Sequence, residues 1–289
     1  VLSLSLAQDG IINKLRSNLP DCPFPIRYTS LTAFNARYRQ GRITATGSLV
    51  YTNVTEHVKI GDAPADFQRL APSFTVSLQP WQEQLLFLRL MYKSTFRMPT
   101  FNDLYYYRLG NRSLRPEKAN EYNMGITWSR SFSSFLNYLS VTVDGYYNDV
   151  TDKIVAFPTT YAWKMANYGK VHVTGMDATL AAAASLGKNT VLVVSGGYTW
   201  QKAIDLTDAT SKSYKDQLPY TPKHSGNVSA VLEMPWVNVG YSIVGVSERY
   251  SMSQNIPENR IDGYMEHTVS LSRNFSFRHC KLRLQAEII

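Results

Sequence analysis

The feature of this sequence that most constrains its fold is a strict alternation of apolar and polar residues. In the stretch LAPSFTVSLQ, residues 70–79, every second residue is apolar and the residues between them are small or polar. Successive side chains of a β-strand point to opposite faces of its sheet. The alternation therefore predicts a strand with one face in an apolar medium and the other in a polar medium.

The same alternation recurs along the whole chain, with weaker contrast in the second half. We interpret about thirteen stretches as strands and none as a convincing amphipathic helix. Gly175 and the alanine run 181–184 make one stretch ambiguous, and we expect a bulge at the glycine. The predicted strands are Val1–Leu6, Tyr28–Arg39, Ile43–Asn53, Leu70–Gln79, Gln84–Arg97, Glu121–Ser129, Leu139–Asn148, His172–Ser185, Thr190–Gln201, His224–Glu233, Val237–Arg249, Tyr264–Asn274 and Cys280–Ile289.

The links between these stretches alternate in length. The short links are 40–42, 80–83, 130–135, 187–189, 234–236 and 274–279. The long links lie between them, at 54–69, 98–120, 149–171, 202–223 and 251–263. A soluble β-sandwich has no reason to keep this alternation, whereas an outer-membrane barrel has short periplasmic turns and longer external loops.

Aromatic residues form two groups that agree with a barrel in lipid. Beside the short links lie Trp81, Trp128, Trp236 and Phe275. At the long-link ends, with the parity of the apolar face, lie Tyr51, Tyr92, Tyr147, Tyr198 and Trp200. Two aromatic belts, one at each interface, are typical of membrane barrels. A large soluble β-sandwich with an aromatic core is the alternative.

Composition excludes helical membrane spans but leaves a membrane barrel open. The longest unbroken apolar run in the 289 residues is Leu180–Ala184, whereas a spanning helix needs about 20 apolar residues. A barrel strand needs only about 10 alternating residues. Both ends of the sequence lie within alternating stretches, so we expect the chain to form part of a longer barrel, because an open sheet edge in lipid leaves backbone groups unpaired.

No pattern in the sequence is typical of catalysis, of a bound metal or of a cofactor. The motifs GxSxG, HExxH and GxGxxG and a P-loop are missing, so we expect no enzyme. Cys22 and Cys280 fit unpaired thiols, although a bridge between them stays open. The net charge of +8 comes without a basic run, so we do not expect a nucleic-acid partner. The histidines lack metal-ligand spacing and are His57, His172, His224, His267 and His279.

Four segments between residues 94 and 177 resemble motifs of the TonB-dependent outer-membrane receptors. STFRMPTFNDLY at 94–105 resembles the family's FRxPTFxELY, and GNRSLRPEK at 110–118 resembles GNPxLKPE. DGYYNDVTDKI at 144–154 is similar to xxYxNxVxDxI, and NYGKVHVTGMD at 167–177 is similar to NxGkaxixGxE. Four positions depart from the family pattern: Met98, the pair 112–113, and Asp177, where Glu is commoner.

The resemblance implies an all-β fold, an antiparallel transmembrane β-barrel segment with about 12–13 of an expected 22 strands. Residues 1–289 are then the C-terminal portion of the barrel domain, without the plug domain and the remaining strands. The implied function is active import of a bulky scarce nutrient, such as cobalamin, a ferric siderophore or a similar chelate. A passive diffusion porin and a structural or adhesive outer-membrane β protein are the alternatives.

The resemblance also implies a location and partners. The location is the Gram-negative outer membrane, in contact with its lipid and lipopolysaccharide. The implied partners are the bulky small-molecule ligand and the TonB complex, which would be reached through the N-terminal region.

Aromatic and basic residues supply the candidate ligand-binding groups. External loops of such a barrel would form a mouth whose aromatic faces can hold a bulky ligand, unless those aromatics only pack the loops together. The candidates are Tyr105, Tyr106, Tyr107, Arg108, Tyr161 and Trp163. Arg89, Lys93 and Arg97 have lumen-facing parity, which fits either an anionic ligand or pairing with acidic plug residues.

Overall fold

A single antiparallel sheet makes up most of the chain. The computed structural model describes residues 1–18, 22–81, 83–158, 163–276 and 280–289. Thirteen strands pair in the order β1 to β11, then β14 and β15. The two short strands between β11 and β14, β12 and β13, pair with each other in a separate two-stranded sheet. This confirms the all-β, antiparallel fold and the predicted number of strands.

The strand bounds follow the alternating stretches closely, with longer ends. The first eight strands are β1 Leu2–Lys14, β2 Ile26–Gln40, β3 Ile43–His57, β4 Phe67–Leu78, β5 Leu85–Arg97, β6 Glu117–Ser131, β7 Leu136–Pro158 and β8 Trp163–Gly187. The others are β9 Thr190–Asp205, β10 His224–Glu233, β11 Asn238–Val246, β12 Arg249–Tyr250, β13 Arg260–Ile261, β14 Tyr264–Ser276 and β15 Lys281–Ile288. The described helices are α1, Phe101–Tyr105, and one 3₁₀ turn, Pro257–Asn259. Neither of these two is long and apolar enough to cross a bilayer.

The strand registers sort the side chains onto an apolar face and a polar face. Phe74, Tyr92, Tyr122 and Tyr147 oppose one another in a row across β4 to β7, which places them on the apolar face. The predicted aromatics of the long-link ends, Tyr51, Tyr92, Tyr147, Tyr198 and Trp200, all lie on this face. Such a row is continuous because residues that oppose each other in a ladder share a face.

The prediction of a long loop at 149–171 is wrong. β7 and β8 continue as a paired ladder up to Pro158 and Trp163. Their upper parts carry polar residues on both sides, in the run DVTDK at 149–153. The buried side chains of this part of the ladder, Val150, Ile154 and Val171, lie on the opposite face, under the long connections. The apolar–polar alternation of the lower strands therefore does not continue there, while the hydrogen bonding does.

The predicted bulge at Gly175 is also wrong. The ladder between β7 and β8 passes through the pair Tyr146–Gly175 without a shift, and its irregularity lies between Leu136 and Tyr138. A Cβ at Gly175 would overlap the ring of Tyr146 and lie 2.7 Å from the backbone oxygen of Trp200. The glycine therefore makes room for a side chain of the neighbouring strand.

The buried side chains concentrate at one end of the sheet, where the long connections lie; we call it the long-loop end. One cluster joins Val150, Val171, Ala203 and Leu218, and a second joins Leu104, Leu114 and Ile154. Apolar side chains farther down the strands are exposed, as with Leu90 at 56% and Met124 at 60%. The long connections thus pack against the ends of the strands, while the side chains farther down the strands stay exposed.

Candidate functional site

Arg97 joins three segments at the long-loop end. Its Nη1 lies 3.3 Å from Oδ2 of Asp103, its Nε lies 3.4 Å from Oε2 of Glu117, and its Nη2 donates to the backbone oxygen of Ile154 at 3.1 Å. The backbone N–H of Ile154 donates in turn to Oε2 of Glu117 at 3.0 Å. One guanidinium therefore ties α1, β6 and β7 together.

The short helix α1 is fixed by its own cap and by packing. The hydroxyl of Thr100 accepts from the backbone N–H of Asp103, and the Asp103 carboxylate accepts from the N–H of Thr100, which is a capping box. Leu104 is 2% exposed and packs with Leu114 and Ile154. Gly110 passes so close that a Cβ there would lie 2.7 Å from the Leu104 carbonyl.

A second set of contacts joins the loop before β6 to the extended β7–β8 ladder. Nε of Arg115 donates to Oδ1 of Asp152 at 2.8 Å. Asn167 accepts from the backbone N–H of Arg115 at 2.9 Å and donates to its carbonyl at 3.0 Å. We call the two sets together the motif cluster, whose members are Arg97, Asp103, Arg115, Glu117, Asp152, Ile154 and Asn167. All four motif-bearing segments of the sequence contribute to it.

Tyr105, a predicted ligand-binding residue, makes its side-chain contacts within the protein. Its hydroxyl donates to Oε1 of Glu56, and the guanidinium of Arg112 lies 5.5 Å from its ring centroid. Burial, together with the hydrogen bond to Glu56, raises the pKa of Tyr105 above its ordinary value. Tyr105 therefore stays a neutral donor and holds the loop in place.

The neighbouring candidates are more accessible. Tyr106 is 53% exposed, Tyr107 is 39% exposed and Trp163 is 45% exposed. Arg108 has a φ of 62° and places its guanidinium 5.1 Å from the Tyr107 ring centroid. Tyr161 lies outside the described residues. Tyr106, Tyr107 and Trp163 thus leave aromatic surface exposed at the long-loop end.

A cavity of about 300 Å³ lies beside α1; we call it the arginine cavity. Arg27, Arg112 and Arg115 line it, against the single carboxylate of Asp66. Nε of Arg27 bonds Oε2 of Glu56 at 2.7 Å, while its buried Nη2 has no hydrogen-bond partner among the described residues. Arg115 is also paired with Asp152, so Arg112 is the guanidinium of this cavity without an ion pair among the described residues. The fork of a guanidinium matches a carboxylate or a phosphate.

The three basic residues with predicted lumen-facing parity share one face of β5 but differ in their partners. Arg89 makes two bonds to Asp144, at 3.0 Å and 3.1 Å. Arg97 belongs to the motif cluster. Lys93 opposes Glu121 in the ladder and has no ion pair within 4.0 Å in the described part of the chain. Of these three basic residues, Lys93 is thus the one whose charge has no ion-pair partner among the described residues.

Tyrosine and histidine side chains pair regularly on the apolar face, and the sequence analysis did not predict these pairs. The hydroxyl of Tyr198 lies 2.7 Å from Nδ1 of His224, and that of Tyr241 lies 2.8 Å from Nδ1 of His267. Two further pairs repeat the diagonal arrangement on neighbouring strands, Tyr147 with His172 and Tyr28 with His57. Sequence separations of 25 to 29 residues conceal these pairs, and only the strand register brings them together.

Cys22 is buried and Cys280 is exposed, and both are free thiols. Among the described residues no group of three His, Cys, Asp or Glu side chains is arranged to hold a metal ion.

Comparison with known protein families decides the assignment. The family described as TonB dependent receptor-like, beta-barrel matches residues 12–289. The chain belongs to this family. TonB-dependent receptors are a Gram-negative outer-membrane family of receptors and transporters, not of enzymes.

Individual relatives agree with this assignment. The vitamin B12 transporter BtuB of Vibrio vulnificus strain YJ016 is 32% identical over 84 residues, which is 28% of this chain and 13% of that protein. The solved structure of the copper transporter OprC superposes with a TM-score of 0.72 at 14% identity, covering 98% of this chain and 47% of OprC. The ferric citrate transporter FecA gives 0.72 at 14% identity, covering 93% of this chain and 42% of FecA. The chain thus spans less than half the length of these relatives, and the two structures show the fold.

Proposed function

We propose that residues 1–289 form the C-terminal part of the barrel of an outer-membrane receptor that imports a bulky scarce nutrient. The family match over 12–289, on a thirteen-strand antiparallel meander, carries the proposal. Cobalamin, a ferric siderophore or a similar chelate is the class of cargo that the named relatives favour. Energy would come from the TonB complex through a plug domain.

The two faces of the sheet support an orientation in the membrane. Apolar side chains repeat along one face, and the other carries Arg89, Asp144 and Asp177. We assign the apolar face to lipid and the polar face to the lumen, because a charged group facing hydrocarbon costs about 2–4 kcal/mol at mid-bilayer. The long-loop end is then external, with lipopolysaccharide around it.

The ligand site that we propose lies at the long-loop end. Tyr106, Tyr107 and Trp163 would offer exposed aromatic faces, and the arginine cavity would take an anionic group of the chelate. Tyr105 and the motif cluster would position these groups without touching the ligand. In the lumen, Lys93 would meet an acidic group of the plug or of the ligand.

Nutrient uptake by the full receptor tests the proposal. Cells that depend on the receptor are given radiolabelled cobalamin or ferric siderophores, one at a time, with and without TonB. Import of one compound that stops without TonB supports the proposal. Equal import in both strains would instead identify a passive pore, and no import of any compound would refute nutrient uptake.

Binding variants locate the site. Tyr107→Ala and Arg112→Gln should each weaken binding of the imported compound about tenfold, since each removes a stacking face or a charge-assisted contact. Tyr38→Ala, at the short-turn end of β2, is the matched control and should leave binding unchanged. Equal effects of all three variants would contradict a site at the long-loop end.

A further inference from the structure

Three exposed lysines lie beyond the tyrosines of the apolar face, toward the long-loop end. Lys118 opposes Thr151, and Thr151 opposes Lys170, so these two lysines lie in one row across β6, β7 and β8. Lys202, on β9, lies in the row that contains Tyr147. All three lysine side chains are exposed, and all three have the parity of the apolar face; we call them the lysine strip.

The residues that follow these lysines in the sequence confirm the direction of the lysine strip. Val171 and Ala203, which follow two of the lysines, belong to the first buried cluster, and Ala119, which follows the third, packs against it. Successive side chains of a strand point to opposite faces of the sheet. The three lysines therefore point away from the buried cluster, on the side of the tyrosines.

This face changes from aromatic to cationic over a short distance. On β6, Lys118 lies four residues beyond Tyr122, and on β9, Lys202 lies four residues beyond Tyr198. Each step covers about 13 Å of strand. Tyrosine rings favour the boundary between bilayer and water, whereas a lysine is costly in hydrocarbon. In the proposed membrane orientation, the lysine strip therefore lies at the level of the lipid head groups.

The local charges leave the lysine strip positive. Oδ1 of Asp149 lies 4.0 Å from Nζ of Lys170 and 3.1 Å from Nε2 of His172. Within the described ranges, neither Lys118 nor Lys202 has a carboxylate within 4.0 Å of its ammonium group. Two ammonium groups without an ion pair are therefore exposed where the sheet leaves the hydrocarbon.

We propose that the lysine strip is a docking surface for one component of the outer leaflet, the phosphorylated head group of lipid A in lipopolysaccharide. Its acyl chains lie along the apolar face, and its phosphates meet the three lysines. Two observations argue for this occupant. The lysine strip continues the face that we assign to lipid, and its positive charge is complementary to a phosphate.

The spacing of the lysines also suits this occupant. Lys118 and Lys170 are two strands apart, so their Cα atoms lie about 10 Å from each other. Their flexible side chains can therefore contact one phosphate group together or two neighbouring ones. The proposal rests on the proposed membrane orientation but does not need transport.

Native mass spectrometry of the full receptor, purified in detergent and mixed with bis-phosphorylated lipid A, tests the docking surface. The double variant Lys118→Gln/Lys202→Gln should bind this lipid about 25-fold more weakly, since each lysine near an anionic head group strengthens attachment about fivefold. Lys188→Gln/Lys281→Gln is the matched control, because it removes the same charge from exposed positions at the short-turn end. The control should not change binding.

Dephosphorylated lipid A separates the charge contacts from the acyl contacts. It should bind the native receptor and the Lys118→Gln/Lys202→Gln variant equally. Added salt should weaken binding of the phosphorylated lipid more in the native receptor than in this variant, because exposed charges are screened.

Two results would overturn the proposal. One is equal binding of phosphorylated lipid A by the Lys118→Gln/Lys202→Gln variant and the control. The other is equal binding of phosphatidylglycerol and lipid A by the native receptor, which would indicate a general attraction to anionic lipid. Nutrient uptake of the same variants is measured in parallel, so failure of the docking surface and failure of import appear as different results.

Discussion

The guanidinium of Arg89 reaches over Gly125 to the carboxylate of Asp144, two strands away, with Nη2 3.0 Å from Oδ1. Arg89 opposes Gly125, and Gly125 opposes Asp144, so the three lie in one row of the polar face. A Cβ at Gly125 would overlap the Asp144 carboxylate. The glycine is thus the gap through which the ion pair forms.

Substitution of Gly125 and of Gly175 by alanine should change the free energy of unfolding by different amounts. Gly125→Ala displaces only a flexible carboxylate, and the half-exposed ion pair it breaks is worth less than about 1 kcal/mol. Gly175→Ala meets the Trp200 backbone as well as the Tyr146 ring, so we expect it to cost about 1–3 kcal/mol. Urea unfolding of the micelle-refolded receptor measures both, with Gly47→Ala as control. Equal costs for Gly125→Ala and Gly175→Ala would contradict this account.

Membrane-face parity should decide which arginine substitutions the barrel accepts. Leu88→Arg places a charge on the apolar face and should lower the free energy of unfolding by about 2–4 kcal/mol. Thr75→Arg, on the polar face, should be tolerated. The same unfolding measurement in phospholipid vesicles compares the two, and similar losses would show that the faces are wrongly assigned.

Glu56 should be among the most sensitive polar residues. Its side chain is 4% exposed and pairs with Arg27 at 2.7 Å, and removing one partner of a buried pair costs about 3–5 kcal/mol. We expect Glu56→Gln to cost about 3 kcal/mol and Tyr105→Phe about 1 kcal/mol. Glu266→Gln, at an exposed position, is the control. A loss for Glu56→Gln no greater than for Glu266→Gln would count against the pair.

Loss of the Arg97 guanidinium should loosen α1. Arg97→Gln removes the contacts to Asp103 and Glu117, so we expect amide hydrogen exchange in α1 to accelerate about tenfold. Exchange in the middle of β6 should not change, because its ladder is intact. Lys93→Gln, on the same strand, serves as the control. Unchanged exchange in α1 would show that the capping box and the Leu104 contacts suffice.

The two thiols should differ in reactivity. Cys22 is 7% exposed, whereas Cys280 is exposed. Of these two thiols, a maleimide should therefore label Cys280 alone in the folded receptor and both after unfolding, and Cys280→Ser should abolish native labelling of the peptide that contains it. Mass spectrometry of labelled peptides checks this, and rapid native labelling at Cys22 would contradict its burial.

Sequence patterns predicted the sheet well where a strand has one apolar and one polar face. Leu70–Gln79 alternates because its two faces lie in different media, and the structure has β4 there at Phe67–Leu78. The patterns failed at 149–171, since the buried residues there, such as Val150 and Val171, lie on the opposite face of the ladder, under the long connections. They also placed a bulge at Gly175, because a glycine alone does not show that a tyrosine lies over it.

The candidate site was predictable only in part. The motif resemblance marked residues that meet in space, but it did not separate those that hold the loop, such as Tyr105, from those left exposed, such as Tyr106. That difference depends on Glu56, which is 49 residues away along the chain.

The sequence by itself determined the number of strands, their alternating faces and the family. These depend on the local requirement that neighbouring side chains suit opposite media. The tertiary structure alone decided which charges are paired, which tyrosines meet histidines, and which glycine makes room for the side chain of a neighbouring strand. Those relationships depend on strand register, which is set by the packing of whole ladders and therefore brings together residues far apart in the chain.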